Sequence, residues 1–347
     1  MKKIIDTVFI TSSYRSGGGL FTQMLNVNNK IKVSSGTINF FRYYFKKYKS
    51  IKKKANYQSL LNQFCVRSKY RFGIDLDYNE IIEQIGRKIF DYSDLYRLMC
   101  SKIFKNKKFT IVGEHAGNEW RNIPNYLKIF PKGKVIILLR DPIDIICSFK
   151  RITIAKKNDY LISIFNYVDL INYTHSLKKS YNKNIYIVKF DELKKDPSST
   201  IKKVCKFLKI KYSYRMINEK YYKGIDGKNW DQSKVFSFSG RLKKKNVGRW
   251  KSIIEMEDLF LCELIAKKQM NMMGLERSNK TFSKKTINKG FNKITSSNLL
   301  TESFIKWIIS REGNNKYPLD PTNPKNYDVT DFKNSKIFKI KYKQLTK

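Results

Sequence analysis

Apolar and polar positions along this chain switch between a strand-like and a helix-like period. Thr7 to Ser12 is a short, largely β-branched run, and after a glycine-bearing loop apolar residues recur at Leu20, Phe21, Met24 and Leu25. The first pattern predicts a buried strand and the second a helix. From about residue 40 to 105 apolar positions keep helical spacing, as in Leu60, Leu61 and Phe64 and again in Ile81, Ile82 and Ile85, with Gly73 as a break. That stretch predicts a helical insertion. Further strands are predicted at Phe109–Gly113, Lys134–Leu139 and Ile185–Val188, and helices at Trp120–Phe130, Tyr160–Tyr181 and Ser198–Leu208. Asp141-Pro142 and Asp196-Pro197 each open a helix, because Pro suits its first position and Asp caps its unpaired amides. Strands alternating with helices imply a parallel sheet in an α/β domain. Past about residue 275 the apolar pattern weakens, so residues 1–275 read as the domain and 276–347 as an extension with a short helix at Phe304–Ile309.

The chain has 347 residues, 41% of them apolar, enough to fill a proper core. Its formal charge is +42, yet Lys and Arg are spread through every segment rather than gathered into one stripe. Two readings of that excess stand: nucleotide bias in the coding sequence, or a field that recruits anionic nucleotides and acceptors. Cys65, Cys100, Cys147, Cys205 and Cys262 lie far apart without a Cys-x-x-Cys pair. Neither a disulfide framework nor a zinc site is indicated, and a reducing, cytoplasmic setting is expected. Asp6 interrupts what would be the apolar stretch of a secretion signal. The apolar run Val135–Leu139 falls far short of the ~18–20 residues that span a bilayer, which leaves only peripheral contact with a membrane open.

Candidate chemistry gathers first in Ser12-Ser13-Tyr14-Arg15-Ser16-Gly17-Gly18-Gly19-Leu20. Between a strand and a helix, such a loop turns unpaired amides and the positive end of the helix dipole toward a phosphate. Arg15 adds a planar fork of donors and Ser16 a hydroxyl. The phosphate loop of nucleoside triphosphatases reads GxxxxGK[ST], and no Lys follows the last glycine here, which argues against ATP or GTP hydrolysis. Taken alone, the loop also reads as a tight turn.

The stretch ITSSYRSGGGLF resembles the 5′-phosphosulfate loop of sulfotransferases, a strand followed by a PRSGTTLL or PKSGTTWL pattern. VIILLRDPIDIICSFKR resembles that family's 3′-phosphate segment, in which a strand ends in Arg and a following helix carries Ser; Arg140 and Ser148 stand at those positions. An Arg at a strand end and a Ser two turns into the next helix can reach one phosphate at the C-terminal edge of the sheet. The alternative is an Arg–Asp salt bridge and an idle serine. Weaker likenesses extend over roughly residues 5–275: Glu114-His115-Ala116-Gly117-Asn118 is similar to (D/E)KTPxN, Phe190-Asp191-Glu192-Leu193 to the family's EDL stretch, and Asn246-Val247-Gly248-Arg249-Trp250-Lys251 to VGxWK. Around the last of these the resemblance implies a segment that closes over the nucleotide and brings Arg241, Lys243, Lys244 or Lys245 toward the 3′-phosphate. The expected donor-binding set is Arg15, Ser16, Gly17, Gly18, Gly19, Leu20, Arg140, Ser148, Lys245 and Gly248.

The chain also departs from the family's pattern. Two threonines of the loop are replaced by Gly18 and Gly19, so amides remain while hydroxyl contacts to the 5′-phosphate are lost, and a weaker hold on the donor is expected. Where relatives show a Gly-Glu pair whose Glu serves as base, Gly36 is followed by Thr37; where they have the Lys of (D/E)KTP, this chain has His115. Sulfuryl transfer needs a base, cations for the leaving oxygen and an in-line geometry, but no metal and no covalent intermediate. His115 is the expected base or, as imidazolium, a stabiliser of the leaving oxygen beside Arg15; Glu114 competes as base. A histidine after a strand also has a purely structural reading, which His175 in its helix receives here. Asp75 and Asp77 in the insertion are not singled out by anything local.

The resemblance implies a three-layer α/β sandwich with a central parallel sheet, similar to P-loop nucleotide kinases, and helical insertions shaping an acceptor cleft. It implies sulfuryl transfer from 3′-phosphoadenosine 5′-phosphosulfate to a hydroxyl or amine. Likeness to carbohydrate and tyrosyl-protein sulfotransferases points to a glycan or glycolipid acceptor. The rivals are a P-loop small-molecule kinase, a polyanion- or nucleic-acid-binding protein living on its charge, for which no motif speaks, and a degenerate sulfotransferase without turnover.

Overall fold

The computed structural model describes residues 6–36, 38–85, 91–104, 109–150, 158–225, 227–230, 249–275 and 278–316. Strands β1 (Asp6–Ser12), β2 (Ile31–Ser35), β3 (Ile111–Gly117), β4 (Lys134–Leu139) and β5 (Ile185–Lys189) form one parallel sheet in the order β2-β3-β1-β4-β5. Their C-terminal ends share one edge, and the chain's progress across the sheet reverses about β1, where α/β folds place their ligands.

Period-two alternation sorts the strand side chains into two cores. Val8, Ile10, Ile31, Val33, Ile136 and Leu138 pack with helices α1 (Gly18–Asn26) and the later α10 (Pro197–Leu208) on one face. Phe9, Val112, Val135 and Ile137 pack on the other. That second layer comprises α2 (Phe40–Tyr43), the insertion helices α3 (Lys54–Phe72), α4 (Tyr78–Ile85) and α5 (Tyr92–Lys102), then α6 (Ile123–Ile129), α7 (Pro142–Lys150) and α8 (Ile162–Ser180). The three-layer expectation holds. α9 (Phe190–Lys195) follows β5 directly.

Local signals act where the sequence placed them. Gly73, at φ 67, ends α3. Asp141 Oδ1 accepts the Ile143 amide at 2.8 Å, and Asp196 accepts that of Ser199 at 2.9 Å. Three differences stand out. The apolar pattern predicts no strand at β2, which exists because Ile31–Ser35 pairs in parallel with Ile111–His115. β3 runs beyond the predicted Gly113 to Gly117, held between β1 and β2, so Glu114 and His115 lie within the strand and not after it. Beyond residue 275 two well-formed helices follow α11 (Met256–Met272): α12 (Lys284–Thr295), capped by Ser283, and α13 (Asn298–Ser310). Ile294, Leu300 and Trp307 enter the main core.

After α13 the chain turns back along α8. Asn314 N donates to Phe165 O at 3.1 Å, and Lys316 is gripped on both sides, its N on Asn166 Oδ1 at 2.8 Å and its O on Asn166 Nδ2 at 2.7 Å. Among the described residues no helix is long and apolar enough to cross a membrane. All five cysteines are buried and unpaired.

Candidate active site

The loop between β1 and α1 turns through two left-handed residues, Arg15 at φ 69 and Gly17 at φ 86. Gly17 is the N-cap of α1 and supplies no side-chain cap, so the amides of the first turn, from Gly18 through Leu20, face the site without an intrahelical acceptor. Leu20 contributes only that amide, since its side chain lies in the core. Ser16 Oγ is unpartnered although the residue is only 1% exposed. A buried donor left open beside a helix N-terminus suits an incoming oxyanion. Gly17 is also sterically required, because a Cβ there would lie 2.9 Å from Phe190 Cζ, with two other ring atoms closer still.

Residues from β4 and α7 close on this loop. Arg15 Nε donates to Ser148 Oγ at 3.0 Å, and Arg140 Nη1 donates to the Arg15 carbonyl at 2.8 Å. The Arg140 guanidinium lies 5.0 Å above the Phe190 ring and 3.6 Å from Asp144 Oδ2, while its Nε has no hydrogen-bond partner. The Arg–Asp bridge is therefore present, but with Asp144 one helical turn on, and Asp141 caps the helix. Burial, reinforced by Asp144, pushes the Asp141 carboxyl up to about 7; burial also raises Asp191 and lowers Lys194 to about 8.

His115 sits on the α1 face at the ends of three adjacent strands. Its register partners are Ile10 on β1 and Ser35 on β2. Nε2 lies 3.0 Å from Ser12 Oγ and Nδ1 lies 3.1 Å from Ser35 Oγ. Burial holds its pKa down to about 4, so the ring is neutral near pH 7. A Cβ on Gly18 would lie 2.7 Å from Nδ1, with Cε1 and Nε2 closer still. The imidazole thus fills the space that a side chain at position 18 would take, and the two departures at Gly18 and His115 are one packing event. Among the described residues nothing lies within 4 Å of a Cβ on Gly19.

Glu114 points to the opposite face, the one shared by Val112 and Ala116. Both its oxygens accept the Phe40 amide at 3.2 Å, and burial raises its pKa to about 8. It anchors the start of α2 on the side of the sheet away from His115. His175 lies exposed on α8, and Asp75 and Asp77 are exposed, the former paired with Lys69 at 3.3 Å and the latter accepting the Glu80 amide at 3.1 Å. Lys245 and Gly248, with Arg241, Lys243 and Lys244, lie outside the described residues.

Several contributors escaped sequence reasoning. Ser12 and Ser35 flank His115, and period two puts all three on one face once β2 is known. Buried Asn118, left-handed at φ 58, accepts the Tyr14 amide on Oδ1 at 3.2 Å and donates from Nδ2 to Lys316 O at 3.4 Å. Asn after Gly at a strand end is a signal for such a turn. Arg42 ties the same corner together, donating to Glu119 at 2.6 Å and to the Gly117 carbonyl at 3.1 Å.

The chain aligns over 79% of its length with the sulfotransferase domain of the curacin biosynthetic pathway, covering 99% of that domain at 14% identity and a TM-score of 0.49. It aligns over 76% of its length with the sulfotransferase domain of the Synechococcus olefin synthase, covering 96% of it at 16% identity and a TM-score of 0.48. A mouse sulfotransferase complexed with PAP aligns over 77% of this chain and 85% of its own, at 14% identity and a TM-score of 0.42. No curated protein matches the sequence. The model of the sulfotransferase family matches residues 7–214, from β1 past α10 and including every described residue of the loop, the Arg140–Ser148 segment and His115. The chain belongs to the sulfotransferase family.

Proposed function

We propose that the protein transfers a sulfuryl group from 3′-phosphoadenosine 5′-phosphosulfate to a hydroxyl or amine of a glycan or glycolipid. The observation that carries this is the meeting of Arg15 with Ser148 and of Arg140 with the Arg15 carbonyl, which joins two segments more than 120 residues apart at one helix N-terminus. In this assignment Arg15, Ser16 and the amides of Gly17, Gly18, Gly19 and Leu20 hold the 5′-phosphosulfate. Arg140 and Ser148 take the 3′-phosphate, assisted by Lys245 and the backbone at Gly248. Arg15 balances charge on the leaving oxygen, and neutral His115 is the base. Glu114, engaged by the Phe40 amide on the far face, serves the fold. The transfer is in line, without covalent intermediate or metal. The buried, unpaired cysteines support a cytoplasmic setting.

Calorimetric titration with 3′-phosphoadenosine 5′-phosphate, against adenosine 5′-phosphate and ATP at the same salt, tests the donor assignment. Micromolar binding that requires the 3′-phosphate is the expected result. Preference for ATP would redirect the site to phosphoryl transfer, and absence of all binding would remove the assignment.

A further inference from the structure

We infer that Ser35 relays the acceptor proton to His115, an inference that rests on the sulfuryl-transfer function proposed above. Both ring nitrogens of His115 already face serine hydroxyls, Nε2 that of Ser12 and Nδ1 that of Ser35. Among the described residues, those two oxygens are the groups through which an acceptor proton can reach the ring nitrogens. Ser12 is buried at 1% exposure, whereas Ser35 ends edge strand β2 and is partly open to solvent at the C-terminal rim of the sheet. A neutral imidazole carries one N–H and one lone pair, so the two hydroxyls are ordered in a single direction. Relay requires the Ser35 hydroxyl to donate to Nδ1 and the Nε2–H to donate to Ser12 Oγ.

In the step itself the acceptor oxygen forms its bond to sulfur as the bond from sulfur to the 5′-phosphate oxygen breaks, and that oxygen keeps the electron pair. The acceptor proton passes to Ser35 Oγ while the Ser35 proton moves to Nδ1. His115 is left as imidazolium, with Nε2 still held by Ser12, and returns its proton to solvent after the products leave. Charge is balanced, and the donor is the only co-reactant. Gly18 permits the arrangement, because any side chain there would expel the ring.

The test reads both tautomer and rate. Long-range proton–nitrogen NMR of the nitrogen-labelled protein resolves His115 from His175, with His115→Gln giving the assignment. The expected form in the free protein is the Nε2–H tautomer, disturbed in Ser35→Ala. Release of 3′-phosphoadenosine 5′-phosphate from the phosphosulfate, with water as acceptor, is expected to slow tenfold or more in Ser35→Ala, the lower range of general-base effects. Ser35→Thr, which keeps the hydroxyl, should stay within a few-fold of wild type, and the Kd for the nucleotide should be unchanged in both. An Nδ1–H tautomer in the wild type overturns the relay, as does full-rate hydrolysis by Ser35→Ala with nucleotide still bound. Failure of the wild type to bind the nucleotide overturns the donor assignment instead.

Discussion

Gly18→Ala is the sharpest perturbation of this site. Position 18 has no positive φ, so alanine meets no backbone strain, and at the start of a helix it gains up to ~1 kcal/mol over glycine. The cost lies across the sheet edge. With Nδ1 at 2.7 Å and two ring atoms nearer, the imidazole must retreat from the new methyl and surrender its contacts to Ser12 at 3.0 Å and Ser35 at 3.1 Å. Overpacking of this kind costs roughly 1–3 kcal/mol and each of the two hydrogen bonds about 0.5–1.5 kcal/mol, which after the helix-propensity gain leaves a net loss of about 1–5 kcal/mol. Urea denaturation of wild type, Gly18→Ala, His115→Ala and the double variant isolates the contact. The double variant should recover most of the loss, with a coupling of about 2 kcal/mol. Gly19→Ala, with no atom of the described residues within 4 Å of its Cβ, is the control and should be neutral or slightly stabilising. A neutral Gly18→Ala, or effects that simply add, would refute the packing of His115 against residue 18.

Gly17→Ala combines a left-handed φ of 86 with the Phe190 ring and should cost more than the change at position 18, again read from urea midpoints. Arg140→Ala should weaken binding of 3′-phosphoadenosine 5′-phosphate by about 1.5–3 kcal/mol, the worth of a charge-assisted bond, and leave adenosine 5′-phosphate nearly unaffected; equal losses for both nucleotides by calorimetry would dissociate Arg140 from the 3′-phosphate. Glu114, raised from 4.5 to about 8, keeps a proton in the folded state that the unfolded chain has lost, so stability falls as pH rises from about 4.5 to 8. Glu114→Gln should remove that slope, with a relative gain on the order of 4 kcal/mol by pH 8. His115 acts with the opposite sign: lowered from 6.5 to about 4, it contributes stability that rises with pH across that window, and His115→Gln should flatten the acid side of the same curve.

The parts legible in the sequence were those whose signals are local. β1, its glycine loop and α1, and likewise β4 with Arg140 and the Asp-Pro start of α7, announce themselves through an apolar run followed by Gly or Pro. β2 was hidden because Lys32 looks like a solvent residue. In the fold it is 7% exposed and its Nζ meets the Asn26 carbonyl, and that of Asn28 at 3.1 Å, closing the end of α1. α12 was obscured by its lysines, although its burial rests on Gly290 and Ile294 alone. The family motifs located Arg15, Arg140 and Ser148, but no motif couples Gly18 to His115, which are remote in sequence and meet only because β3 lies beside β1. Glu114 and His115 are neighbours in the chain yet serve opposite faces, a consequence of strand period that became visible once β3 was seen to extend through both.

The match to the family model ends at residue 214, but the corner that presents Tyr14 to the loop is completed about a hundred residues later. Lys316 gives its carbonyl to Asn118 and to Asn166, and Gly313 passes so close to the Phe165 carbonyl and the Asp169 amide that a Cβ there would have no room. What composition marks as a tail is, up to that residue, a stitch in the wall of the site. Ending the chain at residue 275 would strip Asn118 and Asn166 of these partners and withdraw α12 and α13 from the core. Exchange of the family domain between relatives must therefore carry the segment through Lys316 with it.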